Sequence, residues 1–142
     1  MTQGSNELHF FYDAQNKPAV VVYNDIPYSY IKNLQGDIVA ILDSTGTPVV
    51  NYVYDAWGRP ISCSGIMANT LGKINPFRYR GYVYDEETGL YYLRSRYYVS
   101  ANARFLNADI MFTNNLFAYC SNNVIIALLT KAVTPLQQVY NR

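Results

Sequence analysis

The feature that most constrains this chain is a turn that recurs at intervals of about ten residues. Each turn begins near an Asp or Asn, whose side chain accepts hydrogen bonds from the following backbone, and most contain a Gly that tolerates a positive φ. The turns lie at residues 13–16, 24–27, 34–37, 43–46, 55–58 and 85–89. Between them lie short runs rich in Val, Ile and Tyr, at 19–23, 28–31, 38–42, 49–54, 77–84 and 90–98. This spacing predicts an all-β fold of consecutive antiparallel hairpins.

Two of the turns share a longer motif. The sequence F-Y-D-A-Q-N-K-P at 11–18 parallels V-Y-D-A-W-G-R-P at 53–60, and Y-V-Y-D-E-E-T-G-L at 82–90 repeats the Tyr-Asp step. Residues 34–38 and 43–48 carry the same turn without the tyrosine. A unit used several times predicts an array in which each hairpin depends on its neighbours, because one hairpin buries too little surface to be stable alone.

Composition supports β-structure and excludes several classes of protein. Tyrosine accounts for 15 of the 142 residues, and this side chain favours strands and half-exposed surfaces. Half of the residues are hydrophobic, which excludes general disorder. Only 15% are charged and the net charge is +1, so nucleic acid is not the expected partner.

The sequence offers few residues for metal or cofactor chemistry. The single histidine, His9, lies in a strand-like run, and the two cysteines, Cys63 and Cys120, are far apart. A zinc site needs about four ligands, and no Gly-rich phosphate loop is present, so we expect neither metal nor cofactor. Whether the cysteines pair stays open. No signal peptide is visible, and the longest apolar run, 124–129, is shorter than the ~20 residues of a membrane span.

The repeated segments resemble a known family. Residues 54–60, Y-D-A-W-G-R-P, resemble a YD repeat of the RHS family. Residues 75–98, N-P-F-R-Y-R-G-Y-V-Y-D-E-E-T-G-L-Y-Y-L-R-S-R-Y-Y, resemble the RHS repeat-associated core, which 104–109 and 115–123 continue. The resemblance covers about residues 8–123 and implies a strip of hairpins that spirals into a hollow shell around a C-terminal toxin. It also implies a bacterial polymorphic toxin, secreted or at the cell surface as part of a larger protein.

The end of the chain departs from the family pattern. Family members have Asp-Pro and a Gly where this chain has V-S-A-N-A at 99–103, and an Asp-Pro-x-Gly cleavage site that this chain lacks. The last glycine is Gly89 and the last acidic residue is Asp109. The resemblance places a catalytic aspartate at Asp109, but aspartyl chemistry needs a second carboxylate close by. We therefore interpret Asp109 as vestigial and the end of the chain as an eroded or truncated copy.

The Arg- and Tyr-rich hairpin is the candidate binding surface. We predict that 77–84 and 90–98 form one hairpin with 86–88 at its tip. If Tyr84 pairs with Leu90, arginines face one another, which destabilises a sheet, whereas a slip of one residue sets Arg80 against Ser95. The hairpin is either a surface for an anionic glycan, nucleic acid or cargo, or a structural ladder of stacked side chains. The binding residues would be Arg78, Arg80, Tyr92, Arg94 and Arg96.

The sequence divides into YD-repeat-like hairpins at 1–74, a core segment at 75–123 and a divergent tail at 124–142, irregular or helical up to residue 133. We expect Trp57 to cover the neighbouring hairpin, with a sugar-stacking platform as the alternative. The exposed edge strand near 8–12 predicts self-association of the isolated chain.

The favoured function is a non-catalytic structural segment of a toxin-encapsulating shell, whose partners are upstream YD repeats and a toxin cargo. The alternatives are an aspartyl self-cleaving core that releases a toxin, and a glycan-binding cell-surface module.

Overall fold

The computed structural model describes residues 2–3, 5–93 and 95–106, with the side chains of residues 2 and 3 left aside. The predictions for Arg94, Asp109, Cys120 and the tail at 124–142 lie outside the described residues.

The described chain forms two antiparallel sheets, which confirms the all-β prediction. The first sheet has seven strands that pair in chain order. They are β1 Thr2–Gln3, β2 Asn6–Tyr12, β3 Pro18–Tyr23, β4 Ile26–Lys32, β5 Ile38–Leu42, β6 Pro48–Tyr54 and β7 Pro60–Ser64. The second sheet has the order β11-β10-β9-β8. Its strands are β8 Val83–Asp85, β9 Leu90–Leu93, β10 Arg96–Val99 and β11 Arg104–Phe105, and helix α1 Leu71–Ile74 and the 3₁₀ helix Tyr79–Gly81 lie between the sheets in sequence.

One turn is used four times in the first sheet. In the turn at 55–59, one carboxylate oxygen of Asp55 accepts the N–H groups of Trp57 and Arg59, both at 2.9 Å. The N–H of Gly58 donates to the carbonyl of Asp55 at 3.0 Å, and Gly58 has a φ of 84°. Asp13, Asn33 and Asp43 make the same set of bonds, and each turn adjoins a one-residue register shift in its ladder. The repeat read from the sequence is therefore a repeat of local hydrogen bonding.

Because consecutive strands run antiparallel, alternate turns lie at the same end of the sheet. Three of them, which we call the first, middle and last turns, share one end: residues 13–17, 33–37 and 55–59. The turns at 24–25 and 43–47 lie at the other end. One face of the sheet carries the core, in which Leu8, Val21 and Ile41 are fully buried and on which Leu71 and Phe77 pack.

The predicted hairpin of 77–84 with 90–98 is correct near its tip and wrong beyond Val83. Tyr84 lies opposite Tyr91, which is the slipped register, but the ladder ends at Val83 and Tyr92. Phe77 makes only an isolated bridge to Val83, and the chain then turns through the 3₁₀ helix, where Arg80 has a φ of 53°. The segment turns inward because Arg78 and Arg80 are buried against the first sheet, as described below.

The predicted run 90–98 is also broken. Ser95 lies in a tight turn, where its N–H donates to the Leu93 carbonyl at 2.6 Å, and β10 folds back on β9. As a result Tyr91 and Tyr98 lie opposite each other in the ladder. Strand β7 and helix α1 were not predicted, since Pro60–Ser64 lacks the Val, Ile and Tyr pattern and Leu71–Ile74 is a single turn.

Candidate functional site

The candidate site is the joint between residues 75–106 and the end of the first sheet that carries the first, middle and last turns. We call this contact surface the seam. Its side chains come from the 3₁₀ helix and the second sheet on one side and from the turns on the other. Each of the three turns contacts residues 75–106 in a different way.

Three buried tyrosines hold the last turn. Tyr79 donates its hydroxyl to the carbonyl of Ala56 at 2.9 Å, Tyr98 to that of Trp57 at 2.7 Å and Tyr91 to that of Gly58 at 2.8 Å. All three side chains are almost fully buried, at 0–1% exposure. Three successive carbonyls that would otherwise need water are thus satisfied by hydroxyl groups from three separate elements. We call this arrangement the tyrosine clamp.

The tyrosine clamp requires glycine in the last turn. A Cβ atom at Gly58 would lie 2.4 Å from a carbon of the Tyr79 ring, closer than real contacts allow. Trp57 is half-buried and packs against the same tyrosine cluster, as expected from the sequence, instead of offering a free platform. Burial raises the pKa of Tyr91 and of the neighbouring Tyr54 far above the ordinary range, so both hydroxyls stay protonated.

The middle turn is held by the carboxylate of Asp37 and by a backbone hydrogen bond of the adjoining Ile38. Asp37, only 5% exposed, accepts the backbone N–H of Arg80 on one carboxylate oxygen at 2.9 Å and the side-chain amide of Asn33 on the other at 2.7 Å. The N–H of Ile38 donates to the carbonyl of Arg78 at 3.1 Å, and the Tyr54 hydroxyl donates to the carbonyl of Ile38 at 2.8 Å. The left-handed backbone of Arg80 aims its N–H at Asp37.

The Arg78 side chain connects helix α1 to strand β6 of the first sheet. This side chain is 5% exposed, and its guanidinium donates to the carbonyls of Asn75, Gly72 and Lys73 at 3.1, 2.7 and 3.2 Å. The guanidinium also lies over the Tyr52 ring, 4.5 Å from the centroid, and 3.6 Å from the carboxylate of Glu86. These contacts satisfy the carbonyls at the end of helix α1 and fix its position on the core.

Asn75 connects this end of the helix to the first sheet. It is 1% exposed, and its side-chain oxygen accepts the Tyr30 hydroxyl at 2.6 Å while its amide donates to the Phe77 carbonyl at 2.8 Å. Tyr52 donates to the carbonyl of Gly72 at 2.7 Å. Burial raises the pKa of Tyr52 to about 12 and that of Tyr30 beyond it. These hydrogen bonds pair the polar groups of Asn75, Tyr30 and Tyr52 and hold the end of the helix on the first sheet.

The structure separates the predicted binding residues. Arg78 and Arg80 are buried at 4% and 6% exposure, whereas Tyr92 is 44% exposed and packs on the Tyr97 ring at 5.3 Å. Arg96 is half-buried, with its guanidinium 3.5 Å from the centroid of the Phe105 ring. A binding role for this set stays a prediction. The sequence did not single out Tyr79, Tyr91 and Tyr98, because the break at Ser95 that brings the last two together carries no strong signal.

Within the described residues, no tyrosine hydroxyl bonds to a carbonyl of residues 14–16 in the first turn. A cleft of about 400 Å³ separates it from the second sheet. Its walls are aromatic and cationic, with Tyr12 and Lys17 on the side of the first sheet and Arg80 and Tyr92 on the other. The remaining lining residues are Asn16, Pro18, Phe77, Gly81, Tyr82, Val83 and Leu93.

Residue types typical of metal or thiol chemistry are not gathered at the seam. Within the described residues no three His, Cys, Asp or Glu side chains lie close enough to hold a metal ion. Cys63 is exposed on β7, and His9 bonds to Glu7 at 3.0 Å on the surface. In the part of the chain that the structure describes, no helix is long and apolar enough to cross a membrane.

With this geometry established, the chain was compared with known proteins. The family model described as Teneurin YD-shell matches residues 2–132. The chain belongs to the YD-shell family. The resemblance to RHS and YD repeats read from the sequence is therefore confirmed.

The chain matches parts of longer bacterial proteins. The chain is 46% identical over 106 residues to tRNA nuclease WapA of Bacillus subtilis (strain 168), a match that covers 70% of the chain and 4% of that protein. It is 32% identical over 90 residues to the putative uncharacterized protein YlbH of Escherichia coli (strain K12), covering 61% of the chain and 36% of that protein.

Solved structures share the fold. A crystal structure of TcdB2-TccC3-Cdc42 has a TM-score of 0.73 and 26% identity, over 84% of this chain and 6% of that one. The Photorhabdus luminescens Tc holotoxin pore has a TM-score of 0.74 at 24% identity, again over 84% of this chain and 6% of the other. The chain thus spans about one twentieth of these large shell proteins, and its likeness to them supports a structural shell segment.

Proposed function

We propose that this chain is a wall-and-joint segment of a toxin-encapsulating shell and is not itself an enzyme. The observation that carries the proposal is the seam, where buried tyrosine hydroxyls, Arg78 and Asp37 are all spent on intramolecular backbone contacts. These contacts position one sheet on the other. None of them presents to solvent a pair of groups suited to acid–base or nucleophilic catalysis. A rigid joint is what a shell wall needs where its strip of hairpins changes direction.

The partners we propose are further YD repeats, with a toxin as the enclosed cargo. Both outer strands of the first sheet support this. Strand β1 pairs with β2 only through Asn6 and Glu7, and within the described residues no strand pairs with the outer edge of β7. Open strand edges are templates for a further strand. The names of the WapA and Tc relatives fit a toxin role for the longer protein and a secreted or surface location.

Edge pairing is tested by sedimentation velocity of the 142-residue chain. We expect self-association at tens of micromolar, the range in which exposed edges associate, and weaker association for Ile61→Lys, which puts a charge on the 61% exposed Ile61 of β7. The matched control is Ile66→Lys, at an 86% exposed residue outside the strands. A wild-type monomer, or equal effects of the two lysines, would contradict the proposed wall role.

Activity is tested on the same preparation. We expect the chain to keep its full mass over days at mildly acidic and neutral pH and to leave added tRNA intact. A specific cut that Asp109→Asn abolishes would establish the aspartyl self-cleaving alternative. Hydrolysis of tRNA by the wild-type chain would contradict the non-enzymatic assignment.

A further inference from the structure

Two half-exposed tyrosine rings lie side by side on the second sheet. Tyr92 of β9 and Tyr97 of β10 are cross-strand partners, and their ring centroids are 5.3 Å apart at an interplanar angle of 46°. Leu93 and Arg96 are also paired, so the connection between the two strands is short and holds the rings opposite each other. The rings are 44% and 46% exposed. They are therefore in contact with each other and accessible to reagents in solution.

Exposure distinguishes this pair from the other tyrosine contacts. The rings of Tyr84 and Tyr91 are closer, with centroids 4.7 Å apart, but Tyr91 is 0% exposed and donates its hydroxyl to the Gly58 carbonyl. In each of the other tyrosine pairs whose rings pack together within the described residues, at least one ring is buried. A buried ring is shielded from an oxidant, and its hydroxyl proton has no direct route to water. Only Tyr92 and Tyr97 combine ring contact with access from both sides in the part of the chain that the structure describes.

Neighbouring phenol rings are joined by oxidation. A one-electron oxidant takes an electron from each tyrosine while the hydroxyl proton leaves to water, and the two phenoxyl radicals form a carbon–carbon bond between ring carbons ortho to the hydroxyl groups. The two ortho protons then move through water to the oxygens, which restores both hydroxyl groups. With hydrogen peroxide as the oxidant, two tyrosines and one peroxide give one dityrosine and two waters. Because the sheet holds the two rings in contact, coupling within this pair is favoured over coupling between distant tyrosines.

We propose that Tyr92 and Tyr97 form an oxidative cross-linking site, which hydrogen peroxide and a haem peroxidase convert to dityrosine. The reaction uses only atoms of the two rings, so it needs neither an empty cavity nor an unpaired charge. The site is independent of the shell role proposed above, since it depends only on the pairing of β9 with β10.

The cross-link joins the two strands that carry most of the tyrosine clamp. Tyr92 follows Tyr91 in sequence and Tyr97 precedes Tyr98, and Tyr91 and Tyr98 lie opposite each other in the same ladder. Local opening of the seam by separation of β9 from β10 would then require a covalent bond to break. Oxidation therefore fixes two of the three hydroxyl donors of the last turn relative to each other.

The test is treatment of the 142-residue chain with a haem peroxidase and hydrogen peroxide, at a protein concentration low enough to disfavour coupling between chains. We expect dityrosine fluorescence in the monomer and an intact mass lower by two hydrogen atoms. After denaturation, trypsin cleaves after Arg94 and Arg96, between the two tyrosines, so the cross-link should join peptide 81–94 to peptide 97–104. Fragment ions locate the bond. A bond at another pair of tyrosines, or cross-links only between chains, would overturn the assignment.

Variants locate the site without disturbing the packing. Tyr92→Phe and Tyr97→Phe each keep the ring and remove the phenol, and each should lower the yield of cross-linked monomer at least ~tenfold. The first control, Tyr12→Phe, removes a 51% exposed tyrosine whose ring packs near Phe77. The second, Tyr84→Phe, removes a phenol from the pair with the shorter spacing. Both controls should stay within ~twofold of the wild type. An equal loss in either control, or an undiminished yield in Tyr97→Phe, would refute the site.

Amide hydrogen exchange tests the effect on the seam. In the cross-linked wild type, the amides of Leu90–Leu93 and Arg96–Val99 should exchange about fivefold more slowly than in the untreated chain, because local opening is restricted. Tyr97→Phe treated with the same reagents should show no slowing. Equal exchange in the cross-linked and untreated wild type would contradict the proposed hold on the tyrosine clamp.

Discussion

The first and last turns share a motif and a backbone but meet opposite surroundings. Both begin with Tyr-Asp-Ala and end with a cation and a proline, and both fold around one aspartate oxygen that accepts two N–H groups. The last turn gives three carbonyls to the tyrosine clamp, whereas in the described part of the chain no hydroxyl donates to the carbonyls of residues 14–16. Local sequence therefore determines the turn, and tertiary neighbours determine whether it becomes a joint.

A second difference concerns the ring beside each turn. Tyr54, before the last turn, packs near Tyr79 with ring centroids 6.1 Å apart, and Tyr12, before the first turn, packs near Phe77 at 6.2 Å. Phe77 has no hydroxyl and so cannot bond to a turn carbonyl. Residues 75–106 thus place an aromatic ring beside both turns, but their tyrosine hydroxyls donate hydrogen bonds at only the last turn.

The largest expected effect comes from exchanging the fourth residue of the two turns. Gly58→Asn should destabilise the chain by about 3 kcal/mol, because the new side chain overlaps the Tyr79 ring and separates the tyrosine clamp. Asn16→Gly, the matched control, should change the free energy of unfolding by less than ~1 kcal/mol, because its φ of 59° suits glycine and nothing packs there so closely. Urea denaturation followed by circular dichroism measures both, and similar effects would mean that the two turns are equivalent.

Removing one hydroxyl from the tyrosine clamp should have a smaller effect. Tyr91→Phe leaves the ring in place but takes the donor from the Gly58 carbonyl, which should cost about 1–2 kcal/mol. Tyr12→Phe, at a half-exposed tyrosine beside the first turn, should be close to neutral. The same denaturation series tests this pair, and a neutral Tyr91→Phe would show that the ring alone, without its hydrogen bond, holds the last turn.

Alkaline pH should open the seam. Burial raises the pKa values of Tyr52, Tyr54 and Tyr91 above those of the unfolded chain, so their contribution to stability is complete below about pH 10 and is lost as the pH rises further. Tyrosinate absorbance and the β-sheet circular dichroism signal should therefore change together above ~pH 11. Full ionisation of the tyrosines with the sheet signal unchanged would contradict the burial of these hydroxyls.

The sequence predicted the repeated elements well and the seam poorly, for a physical reason. The turns and strands of the first sheet depend on local Asp, Asn and Gly chemistry and on alternating apolar residues, so the runs at 19–23, 28–31, 38–42 and 49–54 correspond closely to β3–β6. The segment 77–82 has the same strand-like composition, but burial of Arg78 and Arg80 turns it out of the sheet. The hydrogen bond between Arg80 and Asp37 joins residues 43 positions apart, and no local sequence pattern indicates such a contact.

The smallest effect concerns charge at the first turn. Backbone bonding from Lys17 and then the side chain of Lys32 hold the pKa of Asp13 below its ordinary value. Because the pKa of Asp13 is lower in the folded chain than in the unfolded chain, the ionised carboxylate stabilises the fold above the unfolded pKa, near 4. This stabilisation is lost as the pH falls through the folded pKa. Asn33 shows that an amide oxygen can accept the same two N–H groups, so Asp13→Asn should keep the turn and lose only the partly buried ion pair with Lys32. We expect little change in the free energy of unfolding at pH 7 and a weaker dependence of stability on pH below 4. Denaturation midpoints of the wild type and the variant at several pH values measure this. A large loss at neutral pH would mean that the negative charge, rather than the oxygen geometry, forms the turn, and that the first and last turns are less alike than their shared backbone indicates.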